Sequence, residues 1–288
     1  MPELPEVEIT ARRLDAALRG IEVESALATG MVAVKSIDPP LGAVAGRRID
    51  GVRRVGKMPV VELSADGQPD VPLAMLVHLM SAGRLQLFDK RASLRDRTSR
   101  VMVRLADGRE LRLREFGTKQ RAWVKLMPAD AISGDEMVAT LGPEAWPAPS
   151  LEDFARALDE PRHLHPMLRD QRVVAGVGRS WVDEILWEAA LSPFQRGSDL
   201  DDEEVERLHE ALHVLADAIE HYEAVIGDAV PDKLPMPLQV HRREGEPCPR
   251  CGATLAAVHF AEHVMTYCPE EQTGGRVLKD RRLSRLLK

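Results

Sequence analysis

The chain has 288 residues, of which 44% are hydrophobic and 30% charged, and its formal net charge is −7. This length and composition predict a globular protein of two domains with a sizeable core, and they exclude a membrane span. The negative net charge, taken alone, argues against nucleic-acid binding. Three cysteines favour a reducing compartment and metal binding over a disulfide framework, and no secretion signal is recognisable. We therefore expect a cytoplasmic protein, by default a monomer.

The first predicted element is an amphipathic helix from Pro5 to Leu18, because apolar residues recur along it at helical spacing. If the initiator methionine is removed, Pro2 becomes a free secondary amine. An α-amino group has a pKa of about 7.7–8.0, so a useful fraction is neutral near pH 7 and can attack a sugar carbon to form an iminium. Glu3 and Glu6 supply carboxylates for proton transfer. Alternatively, Pro2 merely follows the start codon and Pro5 occupies a first helical turn, where proline is tolerated.

Between residues 21 and 126, short alternating or apolar runs replace the helical pattern. Turn signals such as Ala106-Asp107-Gly108 separate these runs, which predicts an antiparallel sandwich or barrel. Residues 129–150, rich in proline and small side chains, are predicted to be a linker. The predicted strands are 60–63, 73–79, 85–88, 101–105, 111–113 and 123–126.

Residues 151–226 are predicted to be mostly helical, and an acidic block at 199–206 is typical of the first turn of a solvent-facing helix. Gly176 and Gly178 interrupt this region. They allow either a simple helix connection or a tight turn whose backbone approaches an anion. Dinucleotide binding is disfavoured because a third glycine and a preceding strand are missing. Basic residues gather elsewhere in the chain, so a basic DNA-binding face is compatible with the negative net charge.

Near the C-terminus, Cys248 and Cys251 form a Cys-x-x-Cys pair, which is typical of one knuckle of a metal site. Cys268 could add a third sulfur ligand from the returning strand of a hairpin. Sulfur ligands at this spacing favour a structural zinc ion.

Three motifs together resemble the bacterial formamidopyrimidine-DNA glycosylase and endonuclease VIII family. They are Pro2-Glu3-Leu4-Pro5-Glu6-Val7-Glu8, the segment 170–178 with Glu184, and Gly245-Glu246-Pro247-Cys248-Pro249-Arg250-Cys251-Gly252. The resemblance implies an α+β fold with an N-terminal helix and an antiparallel β-sandwich domain, followed by a C-terminal helical domain with a helix-two-turn-helix motif and a zinc-finger-like β-hairpin. The expected domains are 1–128 (catalytic sandwich), 129–150 (linker), 151–235 (helical, DNA-binding) and 236–288 (hairpin and basic tail).

The resemblance also implies a chemistry. Pro2 would attack C1′ of a deoxyribose, Glu3 would protonate the sugar ring oxygen, and Glu6 would orient this network. Lys57 would contact a phosphate near the lesion, unless it is one more surface lysine. The implied activity is that of a bifunctional DNA glycosylase and abasic-site lyase in base-excision repair, which removes oxidised bases from damaged double-stranded DNA and cuts the strand by β,δ-elimination. A bacterial, nucleoid-associated location follows from the same resemblance.

Several expected DNA contacts depart from the family pattern. Trp181 stands where the family usually has Tyr, and the arginine that faces the orphaned partner base has no secure counterpart. Arg179 stands where the family usually has Asn, and His263 stands where the hairpin tip of the family carries an arginine that contacts DNA. A neutral imidazole grips phosphate more weakly than a guanidinium. Met80 and Phe116 either fill the gap left by the extruded base or belong to the core. The full set of expected contacts is Gly176, Gly178, Arg179, Arg242, His263, Met80 and Phe116.

A further departure affects the metal site. The family pattern places a fourth cysteine three residues after Cys268, where this chain has Glu271. Glu271 could bind Zn²⁺ through oxygen, or His259 or His263 through nitrogen; otherwise the site binds zinc poorly or not at all. The departures leave an alternative open: a protein of the same fold that binds damaged DNA or abasic sites and has lost activity or retains only the lyase step.

Overall fold

The computed structural model describes residues 2–64, 71–93, 95–116, 119–260 and 263–278, so the last basic residues of the tail lie outside the described part. The chain forms two compact units, Met1–Thr140 with Ile219–Pro235, and Leu141–Ala218 with Met236–Lys288. Residues 219–235 were expected in the helical domain. They join the first unit, where Gln86 Nε2 donates to the Val230 carbonyl at 3.0 Å and Arg114 Nη1 donates to Asp232 Oδ1 at 2.9 Å.

The first unit places its N-terminal helix against two four-stranded antiparallel sheets, and residues 219–225 at the end of a later helix also belong to it. Its elements are α1 (Leu4–Leu18), β1 (Val23–Ala28), β2 (Ile49–Val55), β3 (Met58–Leu63), β4 (Leu73–His78), β5 (Gly83–Phe88), β6 (Ser99–Leu105), β7 (Glu110–Glu115) and β8 (Trp123–Pro128). One sheet has the strand order β1-β6-β7-β5 and the other β2-β3-β4-β8. The antiparallel sandwich that the alternating runs predict is therefore confirmed.

The core of this unit explains why these residues form these elements. The apolar face of α1, which includes Val7 and Leu18, is fully buried in a cluster with residues from both sheets. Burying each such side chain stabilises the fold by roughly 1.5–3 kcal/mol. The predicted turn at residues 106–108 connects β6 to β7, and Gly108 adopts a positive φ of 92° there.

The second unit is mostly helical and ends in a β-hairpin. Its elements are α2 (Leu151–Leu158), α3 (Leu164–Leu168), α4 (Arg179–Glu188), α5 (Asp202–Glu210), the first residues of α6 (His213–Val225), β9 (Ala256–Phe260), β10 (His263–Tyr267) and α7 (Pro269–Thr273). The acidic block opens α5, where Asp201 and Glu204 form a capping box. The predicted α+β fold is thus confirmed. Among the described helices, none has the length and apolar character needed to cross a bilayer.

Candidate functional site

The start of the chain is fixed by the cap of α1. The Glu3 N–H donates to Glu6 Oε2 at 2.9 Å, and the two residues form a capping box. Pro2, Glu3 and Glu6 are all buried. Because the Glu3 nitrogen is three covalent bonds from the Pro2 nitrogen, this hydrogen bond brings the Glu6 carboxylate into the immediate neighbourhood of Pro2.

A residue that the sequence did not single out completes the Glu6 environment. Tyr222 of α6 donates its hydroxyl to Glu6 Oε1 at 2.7 Å, and its side chain is fully buried. Burial, reinforced by the Glu6 carboxylate, raises the pKa of Tyr222 far above its usual range, so the phenol remains a donor. The signal was present: the apolar stripe of the helix continues from Ile219 to Tyr222, and a buried tyrosine needs a hydrogen-bond partner.

A second unforeseen residue is Arg84 at the start of β5. Its Nε donates to the Asp232 carbonyl oxygen at 3.0 Å. Burial lowers the pKa of Arg84, and the nearby carboxylates of Asp232 and Glu6 oppose that shift. A cation therefore stands within electrostatic range of the carboxylate that faces Pro2.

Lys57 lies in the turn between β2 and β3, and this turn is tied to α1. Arg54 donates through Nη1 to the Gly56 carbonyl at 2.8 Å and through Nε to Glu8 Oε2 at 3.1 Å. The Arg54 side chain is only 5% exposed, so this contact is shielded from solvent. Gly56 has φ +56°. The structure thus connects the Lys57 turn to the helix that carries Glu3 and Glu6, while Lys57 itself is half-buried.

Met80 and Phe116 lie at neighbouring strand ends. Met80 adopts φ +49°, which is unusual for a residue other than glycine, and its N–H donates to His78 Nδ1 at 3.1 Å. Phe116 follows β7, and its N–H contacts the Ala82 carbonyl at 3.5 Å. Both side chains are half-buried, and Met80 packs against the core. Their roles as gap-filling residues stay predictions.

In the second unit, the glycine turn precedes α4. Gly176 has φ +101°, its N–H donates to Gln171 Oε1 at 3.0 Å, and Gly178 is the N-cap residue of α4. Arg179 begins the helix and is exposed. Its Nη2 lies 2.7 Å from Nε2 of His263 at the start of β10. Because arginine only donates, the His263 Nε2 must accept. Arg179 and His263, which both depart from the family pattern, are therefore in direct contact.

Arg242 is exposed in a segment anchored to α4 by two buried acids. Glu184 accepts hydrogen bonds from the backbone N–H groups of residues 239, 240 and 241 at 2.8–3.0 Å. Burial raises the pKa of Glu184, and these three donors oppose that rise. Asp183 Oδ2 accepts from His241 Nδ1 at 2.6 Å and from the Thr266 N–H at 3.0 Å. These contacts fix both the segment of Arg242, which has φ +61°, and strand β10.

The three cysteines converge in the second unit. Their sulfur atoms all lie within 4.8 Å of one another, and the Sγ atoms of Cys251 and Cys268 are 3.4 Å apart. The Trp187 Nε1 donates to Cys248 Sγ at 3.4 Å. Burial opposes ionisation of Cys248, but this donor and the backbone N–H groups of Cys251 and Arg250 outweigh it and lower the pKa of Cys248 to about 7. Burial raises the pKa of Cys268 to about 12.

The three candidates for a fourth ligand have other partners. Glu271 Oε2 accepts from Arg250 Nη1 at 3.0 Å, His259 Nε2 lies 3.0 Å from Glu244 Oε2, and His263 contacts Arg179. Within the described part of the chain, the three cysteines are the one group of at least three clustered ligand side chains. The structure therefore offers a three-sulfur site.

Known proteins resemble this chain over most of its length. The sequence models for two domains match it: the formamidopyrimidine-DNA glycosylase N-terminal domain at residues 1–119, and the formamidopyrimidine-DNA glycosylase H2TH domain at residues 141–229. Formamidopyrimidine-DNA glycosylase of Enterococcus faecalis is 31% identical, with 97% of this chain and 100% of the relative covered. The protein of the same name from Roseiflexus sp. is 32% identical, with 94% and 100% covered.

Solved structures give the same result. The complex between the Lactococcus lactis Fpg and DNA containing an abasic site superposes with a TM-score of 0.81 at 26% identity, over 94% of this chain and 99% of that chain. MutM in complex with DNA containing carbocyclic 8-oxo-G gives a TM-score of 0.81 at 26% identity, over 94% and 100% of the two chains.

Proposed function

The chain belongs to the formamidopyrimidine-DNA glycosylase family, and on that premise we propose that it is a bifunctional DNA glycosylase and abasic-site lyase that repairs damaged double-stranded DNA. One observation carries the assignment of the reacting groups. It is the buried cap that joins Glu3 to Glu6 directly behind Pro2. A secondary amine held beside fixed carboxylates suits covalent catalysis through an iminium.

The proposed reaction begins after removal of Met1 and extrusion of a damaged base, at an unstacking cost of a few kcal/mol. The Pro2 nitrogen donates its electron pair to C1′, the glycosidic bond breaks, and the base leaves with the bonding electrons. The attached nitrogen then loses its N–H proton, which the departing base takes up. Glu3 protonates the ring oxygen, so the sugar opens and an iminium forms at Pro2. Loss of a C2′ proton expels the 3′-phosphate, and a second elimination expels the 5′-phosphate. The Glu6 charge stabilises the cationic iminium.

The DNA contacts are assigned by position and charge. Lys57 contacts a phosphate near the lesion from its turn beside α1. In the second unit, phosphates are bound by the guanidinium groups of Arg179 and Arg242, by His263 and by the Gly176–Gly178 backbone. Exposed guanidinium groups and helix N-termini favour anions. Met80 and Phe116 fill the gap left by the extruded base. Because the substrate is DNA, we place its action at the bacterial nucleoid.

The three cysteines fit a structural zinc ion. A Zn–S distance of about 2.3 Å in a tetrahedral site corresponds to sulfur atoms roughly 3.8 Å apart, which agrees with a cluster whose atoms all lie within 4.8 Å. Bound zinc would join the Cys248–Cys251 knuckle to Cys268 at the end of β10 and so stabilise the hairpin. The described residues offer three sulfur ligands, and the candidate fourth ligand Glu271 is paired with Arg250.

Borohydride trapping tests the proposed function. Duplex DNA with an abasic site should give a covalent adduct, and duplexes with 8-oxoguanine or formamidopyrimidine should give one if base excision is retained. The adduct should be lost in Pro2→Gly, and mass spectrometry should show that Met1 is absent. Retained Met1, or DNA binding with no adduct, would refute the lyase. The second result would establish the other candidate, a protein of the same fold that binds damaged DNA or abasic sites.

A further inference from the structure

The contact between Tyr222 and Glu6 has a chemical consequence. Both oxygens of Glu6 accept hydrogen bonds, Oε1 from the Tyr222 hydroxyl at 2.7 Å and Oε2 from the Glu3 N–H at 2.9 Å. An amide N–H can only donate, and the Tyr222 phenol does not ionise in the working pH range. A carboxylate that accepts on both oxygens is favoured in its charged form and is held in one orientation.

We propose that Tyr222 is a positioning residue for the amine chemistry: its hydroxyl keeps Glu6 ionised and oriented, so that the Glu6 charge stands beside the Pro2 nitrogen while the iminium forms. This inference rests on the proposed function of Pro2. Tyr222 acts through Glu6, and the sequence separation of 216 residues means that α6 supplies a part of the N-terminal site.

The other charged groups around Glu6 show why such a donor is needed. Glu3, on the same segment, brings a second carboxyl group close to Glu6, and like charges at short range disfavour each other. Arg84, on β5, carries a positive charge within electrostatic range of Glu6 and acts in the opposite direction. Tyr222, on α6, adds a short hydrogen bond to Glu6. The strength of this bond depends on its geometry, and because the tyrosine is buried, salt screens it little.

Tyr222→Phe tests the proposal because it removes one oxygen atom and little else. A hydrogen bond to a charged group corresponds to about a tenfold change in equilibrium, which is about one unit on a pH axis. Without the hydroxyl, Glu6 takes up a proton at higher pH. The rate of borohydride-trapped adduct formation on abasic-site DNA should therefore fall about tenfold on the acidic side, and the acidic limb of its pH profile should move up by about one unit.

The chain offers a matched control, because it has two tyrosines and both are fully buried. The Tyr267 hydroxyl accepts from the Leu278 N–H at 2.6 Å in the second unit. Tyr267→Phe should leave the shape of the pH profile unchanged. In that background Tyr222 is the sole tyrosine, so fluorotyrosine incorporation alters it alone. The more acidic phenol is a stronger donor and should move the acidic limb to lower pH, a test that does not depend on the stability of Tyr222→Phe.

A double-mutant cycle shows whether Tyr222 acts through Glu6. In a Glu6→Gln background, Tyr222→Phe should cause no further loss. A wild-type pH profile in Tyr222→Phe, an unshifted limb with fluorotyrosine, or full additivity with Glu6→Gln would each overturn the proposal. If the wild-type protein gives no adduct, the proposed function itself has failed, which is a different result from an adduct that is insensitive to Tyr222.

Discussion

Arg179→Ala is the sharpest test of the second unit, because the structure gives this side chain a single defined setting. Arg179 is exposed at the start of α4 and donates to His263. If its guanidinium contacts one phosphate, its removal eliminates one released counterion. The plot of log K against log salt concentration should then become shallower by about 0.9. The affinity should fall about tenfold. This is the low end of the range for losing a charge-assisted hydrogen bond, because the site is exposed to solvent.

The assay is fluorescence anisotropy on a duplex with a non-cleavable abasic analogue, over a series of salt concentrations. Arg156→Ala is the matched control, since Arg156 is also an exposed arginine of the second unit but pairs with Glu152 and Asp153 on α2. Its slope should equal that of the wild type. His263→Ala should also keep the slope, because the guanidinium remains. An unchanged slope in Arg179→Ala would refute the assignment of this residue to a phosphate.

Three further perturbations follow from the same geometry. Glu184→Gln should lower the free energy of unfolding by about 1–3 kcal/mol in denaturant titrations, because its amide NH₂ would face a backbone N–H; an unchanged midpoint would contradict this. Purified protein should contain one zinc ion by elemental analysis, and Cys268→Ser should lower both zinc content and melting temperature, whereas an equal zinc content would exclude the sulfur site. Gly83→Ala should lower the melting temperature, because its Cβ would lie 2.2 Å from the Leu79 carbonyl oxygen. An unchanged melting temperature would show that the backbone of the turn shifts to make room for the methyl group.

Elements with a strong local pattern were predictable from the sequence. Helix α1 was recognised because its buried residues recur at helical spacing, and the β6–β7 hairpin because a glycine turn separates two apolar runs. Strands β1 and β2 were not among the predicted runs. Charged and small residues interrupt them, and in β2 the pair Arg53 and Arg54 replaces the apolar alternation. These strands are specified by pairing with neighbours that carry the stronger pattern.

Contacts between distant segments were not predictable. Nothing in the local sequence indicates that residues 219–235 join the first unit, or that Arg84 lies near Glu6. A buried tyrosine needs a hydrogen-bond partner, but the sequence does not identify that partner. Only the fold identifies Glu6, 216 residues away, as that partner. The sequence therefore predicts which residue types can react at the N-terminus, whereas the structure shows which distant side chain contacts them.

In the second unit, two side chains that depart from the family pattern, Arg179 and His263, lie in contact. Taken singly, His263 suggests weaker phosphate binding and Arg179 suggests an altered positioning of the lesion, and together they favour a protein that has lost activity. In the structure, Arg179 Nη2 lies 2.7 Å from His263 Nε2, so the two side chains lie at the same position on the surface of the second unit. A guanidinium is still present there, but α4 supplies it instead of the hairpin, and the smaller imidazole of His263 accepts its hydrogen bond. We therefore expect the two departures to compensate for each other in charge, and the salt dependence of Arg179→Ala tests this expectation.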